Sequence, residues 1–290
     1  MQLWFILAIV TVFLWGPDAI FAKLSAPKLG VARVAILIAV VDGTMYYLGF
    51  YYWHENLPVS LGNSALAATS CIVSTVGYLC FFESILDGQV AIVGAISAAY
   101  PALTVIGALA FLSESLTVTQ ALSLVAIIGG IVALSYEPNP SSGHAMPRRS
   151  LLFALLAFAL FGISGLTSKM AINAIGPGNI FGFYAISSLT VPLVYAWFRR
   201  IRPGQSRDDD PSQITWAFGA TGLALNVCGL FAFSFALNEG LASLVVPISS
   251  ACQLVTVILA VALLHEKLDP LHVVALTFVI IGLMVIGIAG

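Results

Sequence analysis

The stretch Ala95–Leu116, AISAAYPALTVIGALAFLSESL, lies over Pro247–Leu268, PISSACQLVTVILAVALLHEKL, when the sequence is shifted by 152 residues. Extended to Phe81–Leu134, roughly a third of the positions are identical, including Gly88/Gly240, Ser97/Ser249, Thr104/Thr256, Glu114/Glu266 and Gly130/Gly282. A shift of 146 lays Leu14–Lys23, LWGPDAIFAK, over Leu160–Lys169, LFGISGLTSK, and matches Gly16 to Gly162 and Lys23 to Lys169. Apolar segments resemble one another by chance. Charges and glycines in the same order do not, so the chain reads as one unit written twice.

Composition says what kind of unit. Of 290 residues, 60% are hydrophobic and 8% charged, with mean hydropathy +1.03. A soluble domain carries about a quarter charged residues. This chain cannot cover itself with a water-facing surface, and its solvent is the lipid bilayer. A spanning helix needs about 20 apolar residues. Apolar runs between turn signals place ten spans near 2–23, 31–53, 64–86, 90–112, 118–136, 150–172, 179–198, 214–237, 241–264 and 271–289. The opening MQLWFILAIV lacks the basic region and cleavage site of a signal peptide and reads as the first span. The sequence therefore predicts an all-α integral membrane protein: a first repeat over 1–137, a connecting loop over 138–149 and a second repeat over 150–290.

The eleven basic residues fix an orientation. Ten lie on one face: Lys23, Lys28, Arg33, Arg148, Arg149, Arg199, Arg200, Arg202, Arg207 and Lys267; Lys169 lies on the other. Basic loops stay cytoplasmic, so both termini are expected outside. Five spans per copy is odd, so the two copies enter the membrane in opposite directions. Inverted repeats recur among secondary transporters, with the binding site between them.

The residues also resemble a known family. Ala91 after a turn, Pro101 in the fourth span, Glu114 ending it and the Gly129–Gly130 pair in the fifth are similar to the pattern of EamA-type members of the drug/metabolite transporter superfamily. The second copy carries Glu266 and Gly282, with Gln253 where the first has Pro101; Trp15–Gly16 matches the family's usual start. The resemblance implies export of small metabolites such as amino acids, or carriage of nucleotide sugars and phosphorylated sugars, driven by protons or exchange. It implies a bacterial inner (plasma) membrane location, a monomer or homodimer, a small organic solute and protons as partners, no nucleic acid, no cofactor and no enzymatic activity. It also implies a cavity walled by spans one, three, four, six, eight and nine. Trp15, Asp18, Tyr78, Ser97, Tyr100, Phe161, Asn226, Ser249 and Gln253 are then the candidates for solute contact, although ordinary helix packing accounts for any single aromatic. Ala91, Gly94, Ala95, Ala98 and Ala99 read as close helix contacts.

Intramembrane charge is the sharper clue. Asp at a helix centre costs ~3 kcal/mol, and each Leu, Ile, Phe or Val returns ~0.5. Eleven such residues between Leu3 and Phe21 let the first span insert despite Asp18. Asp18 follows Pro17, which frees a carbonyl one turn back. It is either a carboxylate beside a wet cavity, carrying protons or meeting a substrate amine, or an interfacial partner for Lys23 and Lys28. In the second copy, Pro17–Asp18 becomes Ile163–Ser164. Asp42, near the middle of span two, is either a second proton-coupling group or a structural hydrogen-bonding residue. Lys23 and Lys169 read as helix-ending residues, and Glu114 and Glu266 as pairing or capping groups at helix junctions. Glu83, Asp87 and Glu239 are expected on the side opposite the basic loops.

Other chemistries lack a motif. Cys71, Cys80, Cys228 and Cys252 sit in apolar runs, so neither a disulfide framework nor a metal site is expected. The Asp208–Asp210 run lies in a polar loop and reads as solvated charge. No phosphate-cradling Gly-Lys-Ser/Thr run is present, so ATP is not expected as the energy source. A membrane enzyme acting on a lipid or isoprenoid, and a passive channel, remain the competing classes.

Overall fold

A computed structural model describes residues 2–57, 60–87, 96–97, 99–134, 147–200, 212–264 and 270–289. Ala91, Gly94, Ala95, Ala98, Glu266, Lys267, the Asp208–Asp210 run and most of the 138–149 loop lie outside the described residues, as do the side chains of Lys23 and Asp87. The described part is all helix and loop: α1 (Leu3–Trp53), α2 (Leu61–Asp87), α3 (Tyr100–Phe111), α4 (Val118–Leu134), α5 (Arg148–Ile175), α6 (Pro177–Arg200), α7 (Gln213–Glu239), α8 (Ala242–Ser250), α9 (Cys252–Leu264) and α10 (Pro270–Ala289). These contain eight segments long and apolar enough to cross a membrane, with α3 and α4 as shorter apolar helices. The sequence leaves 24–30 as a loop between two spans. In the structure the helix instead runs to a kink at Gly30, where φ is 72° and ψ 155°. Only glycine reaches that region at little cost, so one residue does the work of a loop. Gly176, between α5 and α6, has φ 85° and ψ 156°. It stands 146 residues after Gly30, a repeat match the sequence reading passed over.

The packing obeys the repeat. The first part of α1 lies on α7, and α5, its counterpart, lies on α2. The second part of α1 packs on its own counterpart α6, and α4 on its counterpart α10. Small residues permit the close approaches, as expected where lipid gives helices no hydrophobic reason to associate. A Cβ on Gly130 would sit 2.6 Å from Val279 and 2.9 Å from the Ala275 carbonyl. A Cβ on Gly282 would sit 2.7 Å from Ile127 and 2.9 Å from the Ser123 carbonyl. Shifted by 152, Ser123, Ile127 and Gly130 become Ala275, Val279 and Gly282, so one contact is made twice with the roles exchanged.

The same holds at the centre. Thr104 Oγ1 donates to the Gly162 carbonyl at 3.0 Å, and Thr256 Oγ1 donates to the Gly16 carbonyl at 2.9 Å. A Cβ on Gly162 would meet Leu103 at 2.6 Å, and one on Gly16 would meet Val255 at 2.5 Å. Gly16/Gly162 and Thr104/Thr256, which match in the sequence, therefore bond to each other across the halves. Two interlocked sets result. One is α2, α3 and α5; the other is the first part of α1 with α7 and α9. Each set draws helices from both repeats.

Candidate functional site

Asp18 lies on α1 one helical turn beyond Leu14, and its side chain is only 8% exposed. Asn226 on α7 donates Nδ2 to Asp18 Oδ2 at 2.9 Å. The Asn226 carbonyl accepts from Trp15 Nε1 at 3.0 Å. Trp15 is thereby spent on packing: its ring lies against Gly229 and tilts over Phe233 at 5.2 Å. Gly222 makes room for the carboxylate, since a Cβ there would lie 3.0 Å from Asp18 Oδ1. Beside Asp18 is a cavity of about 20 Å³, walled by Ser25, Ala26, Leu29, Val34, Tyr78 and Phe82 among others. That volume holds about one water. It extends from Asp18 toward the Gly30 kink, which is flanked by Lys28 and Arg33.

Asp42 is 5% exposed and its Oδ1 has no hydrogen-bond partner among the described residues. It lies within Coulombic range of Asp18, and Tyr78 lies within range of both. Two carboxylates and a phenol thus share one intramembrane neighbourhood.

The remaining candidates gather elsewhere. Tyr100 OH accepts from Ser250 Oγ at 2.8 Å and its ring tilts toward Phe161 at 5.7 Å. Ser97 and Ser249, which correspond in the repeat, are both buried with no hydrogen-bond partner for Oγ among the described residues. Gln253 is half-buried at the start of α9. Of the sequence-derived candidates, Asp18 and Tyr78 line the cavity, with Asn226 bonded to Asp18 and Trp15 to Asn226; Tyr100 and Phe161 meet where α3 packs on α5, Ser249 lies at the end of α8, Gln253 at the start of α9, and Ser97 is buried ahead of α3.

The position equivalent to Asp18 is built differently. Ser164 replaces the acid, and the buried neighbours are hydroxyls. Ser70 Oγ and Ser168 Oγ are 2.9 Å apart, Thr167 Oγ1 donates to Ser70 Oγ at 3.2 Å, and Ser168 Oγ lies 3.4 Å from Tyr184 OH. Thr75 Oγ1 and Ser187 Oγ are 3.3 Å apart. The sequence reading missed this network because single serines in apolar runs carry no spacing signal until their helices are paired.

Glu83 corrects an expectation. It lies on the side of the basic loops, because the third span must end where the first and fifth do. It is 5% exposed, accepts from Arg149 at 2.8 Å and is bonded by the Tyr195 hydroxyl. Glu114 caps a helix end as expected, whereas Lys169 does not end its own helix, which runs on to Ile175, and instead caps the end of α7. Glu114 accepts from the backbone N–H groups of Ala242 and Ser243 at 2.8 and 2.9 Å. Lys169 Nζ donates to the carbonyls of Leu237 and Gly240 at 2.5 and 3.0 Å.

A helical unit used twice, with apolar helices long enough to span a bilayer and a carboxylate buried between them, defines a polytopic two-repeat membrane protein. The chain belongs to the EamA-like transporter family, whose model matches residues 2–136 and again 148–288. An uncharacterized protein of Methanocaldococcus jannaschii is 28% identical over 131 residues, which are 45% of this chain and 94% of that protein. That relative is thus about as long as one repeat. A protein crystal structure superposes with a TM-score of 0.74 over 99% of this chain and 96% of that one, at 14% identity, a likeness of fold alone.

Proposed function

We propose that this member of a transporter family is a secondary active transporter that exports a small organic metabolite of the amino-acid class, with protons as the coupling ion. The two five-helix repeats, 1–137 and 150–290, insert in opposite senses and give alternating access. Asp18 carries the reading. A carboxylate within a membrane span is costly, up to ~3 kcal/mol at a helix centre, yet this one is buried, held by Asn226 and set beside a water-sized cavity. Intramembrane acids of this kind mark substrate and proton pathways. Asp42 supports the reading as the second proton-accepting group, because its Oδ1 has no hydrogen-bond partner among the described residues. A cavity of about one water passes a proton but not a metabolite, so solute entry requires the helix sets to part.

The test is Asp18→Asn in proteoliposomes, assayed against a panel of amino acids and related amines with and without a pH gradient. The change is isosteric, so insertion and thermal stability should be retained while gradient-driven transport is lost. Full transport with an unaltered pH profile would remove Asp18 from the mechanism.

A further inference from the structure

We infer that Lys169 and Glu114 form a gate, a two-ended clamp that shuts the face opposite the basic loops and lets go when the helix sets part. The inference rests on the transport reading above. Lys169 lies on α5 and Glu114 three residues past the end of α3, both on the set α2, α3 and α5; what they hold is the junction between α7 and α8. Lys169 takes the carbonyl end of α7, through Leu237 and Gly240. Glu114 takes the amide end of α8, through Ala242 and Ser243. Each charge meets the helix end of opposite partial charge. Lys169 is 8% exposed and Glu114 half-buried, and both ends of the clamp are bonded, so in this state the clamp is closed. The chain turns into Glu114 through Ser113 at φ 55°, a conformation that non-glycine residues seldom adopt and that aims the carboxylate at α8.

Apart from two charged contacts, Glu83 with Arg149 and Asp18 with Asn226, the side-chain bonds inside each set differ in kind. Thr104 to Gly162, Thr256 to Gly16 and Ser70 to Ser168 join neutral hydroxyls to neutral acceptors. Once broken in a dry interior they leave unsatisfied groups. The clamp's groups are ionic or lie at helix ends, on the membrane's edge, where water satisfies them as soon as the sets separate. Such a contact opens and closes at modest cost. The cavity at Asp18 extends toward the other face, so the closed clamp and the cavity lie on opposite sides of Asp18.

The test uses two reporters and a membrane-impermeant maleimide. Ser243→Cys reports the clamped face, and Ser25→Cys reports the cavity wall; both residues are buried. Each is read above the background of the native cysteines. Adding Lys169→Met or Glu114→Gln should speed labelling of Ser243→Cys about tenfold, the population shift expected from losing one charge-assisted pair. Labelling of Ser25→Cys should not rise, and Lys169→Arg should keep Ser243→Cys slow. Unchanged labelling at Ser243→Cys, or a rise at both reporters, overturns the gate. The readout requires no solute. If Asp18→Asn leaves transport intact while labelling shifts as described, the coupling role of Asp18 fails and the gate stands.

Discussion

Asp18 and Ser164 occupy equivalent places in two halves whose frames match bond for bond. Around each, a threonine reaches a glycine carbonyl across the halves, at 2.9 Å for Gly16 and 3.0 Å for Gly162. Around each, a glycine admits a side chain that a Cβ would strike. The polar groups inside the two frames differ. One holds two carboxylates within Coulombic range of each other, an amide and a cavity; the other holds hydroxyls that bond among themselves. A frame shared by both halves is selected for packing. What only one half carries has to be explained by something other than packing.

That contrast can be broken at several levels. The largest effect is expected from the acids. Asp18→Asn should reduce gradient-driven transport at least about tenfold, the equivalent of 1.4 kcal/mol in a barrier, whereas Ser164→Ala should change it little. Equal losses in the two variants, measured in proteoliposomes, would erase the distinction between the halves.

The frame should respond evenly instead. Gly16→Ala and Gly162→Ala each push a Cβ into a side-chain stem, at 2.5 and 2.6 Å. Overpacking of this kind costs roughly 1–3 kcal/mol, so both variants should melt lower in detergent, and by similar amounts. The turn glycines come next. Gly30→Ala and Gly176→Ala force a Cβ into a region of positive φ that is essentially glycine's alone, which costs roughly 1–3 kcal/mol. Glu55 sits where a Cβ on Gly176 would go, 2.7 Å from its Oε2, but it is the free end of a long side chain and can move. The two should therefore also be close. The smallest effect belongs to Thr104→Val and Thr256→Val, about 0.6 kcal/mol each by the average worth of an interhelical hydrogen bond in a membrane. A large asymmetry within any of these three pairs would show that the frame is not shared after all.

Much of this was legible in the sequence, for a physical reason. Membrane depth enforces apolar runs, so helices announce themselves, and a duplicated unit shows which residues the frame needs. Gly16, Thr104, Glu114, Gly130 and Lys169 all stand out by recurring, and each is found in a close contact or at a helix end. The kink at Gly30 was not legible, because the polar residues around it imitate a loop. The facing of Glu83 was misread by judging charge locally instead of counting spans. The site divided for a related reason. Asp18 is conspicuous because charge is rare at that depth, whereas Ser70, Thr75, Ser168 and Ser187 become a network only when α2, α5 and α6 meet. The family resemblance made Trp15 a candidate cavity residue, and in the structure it is occupied by the Asn226 carbonyl and the face of Gly229.

The pairing of Glu83 with Arg149 bears on how the protein is made. The two are separated by 66 positions in the chain. At roughly 5–20 residues per second of synthesis, the acid leaves the ribosome on the order of several seconds before its partner exists. During that interval the third span must sit in the translocation machinery, or at the membrane edge, before the Arg149 guanidinium is there to meet its carboxylate. The first repeat therefore cannot finish folding on its own schedule. Its buried Glu83 meets Arg149 only when the opening turn of the second repeat arrives, and Asp18 meets Asn226 later still, so the order of synthesis is written into the contacts.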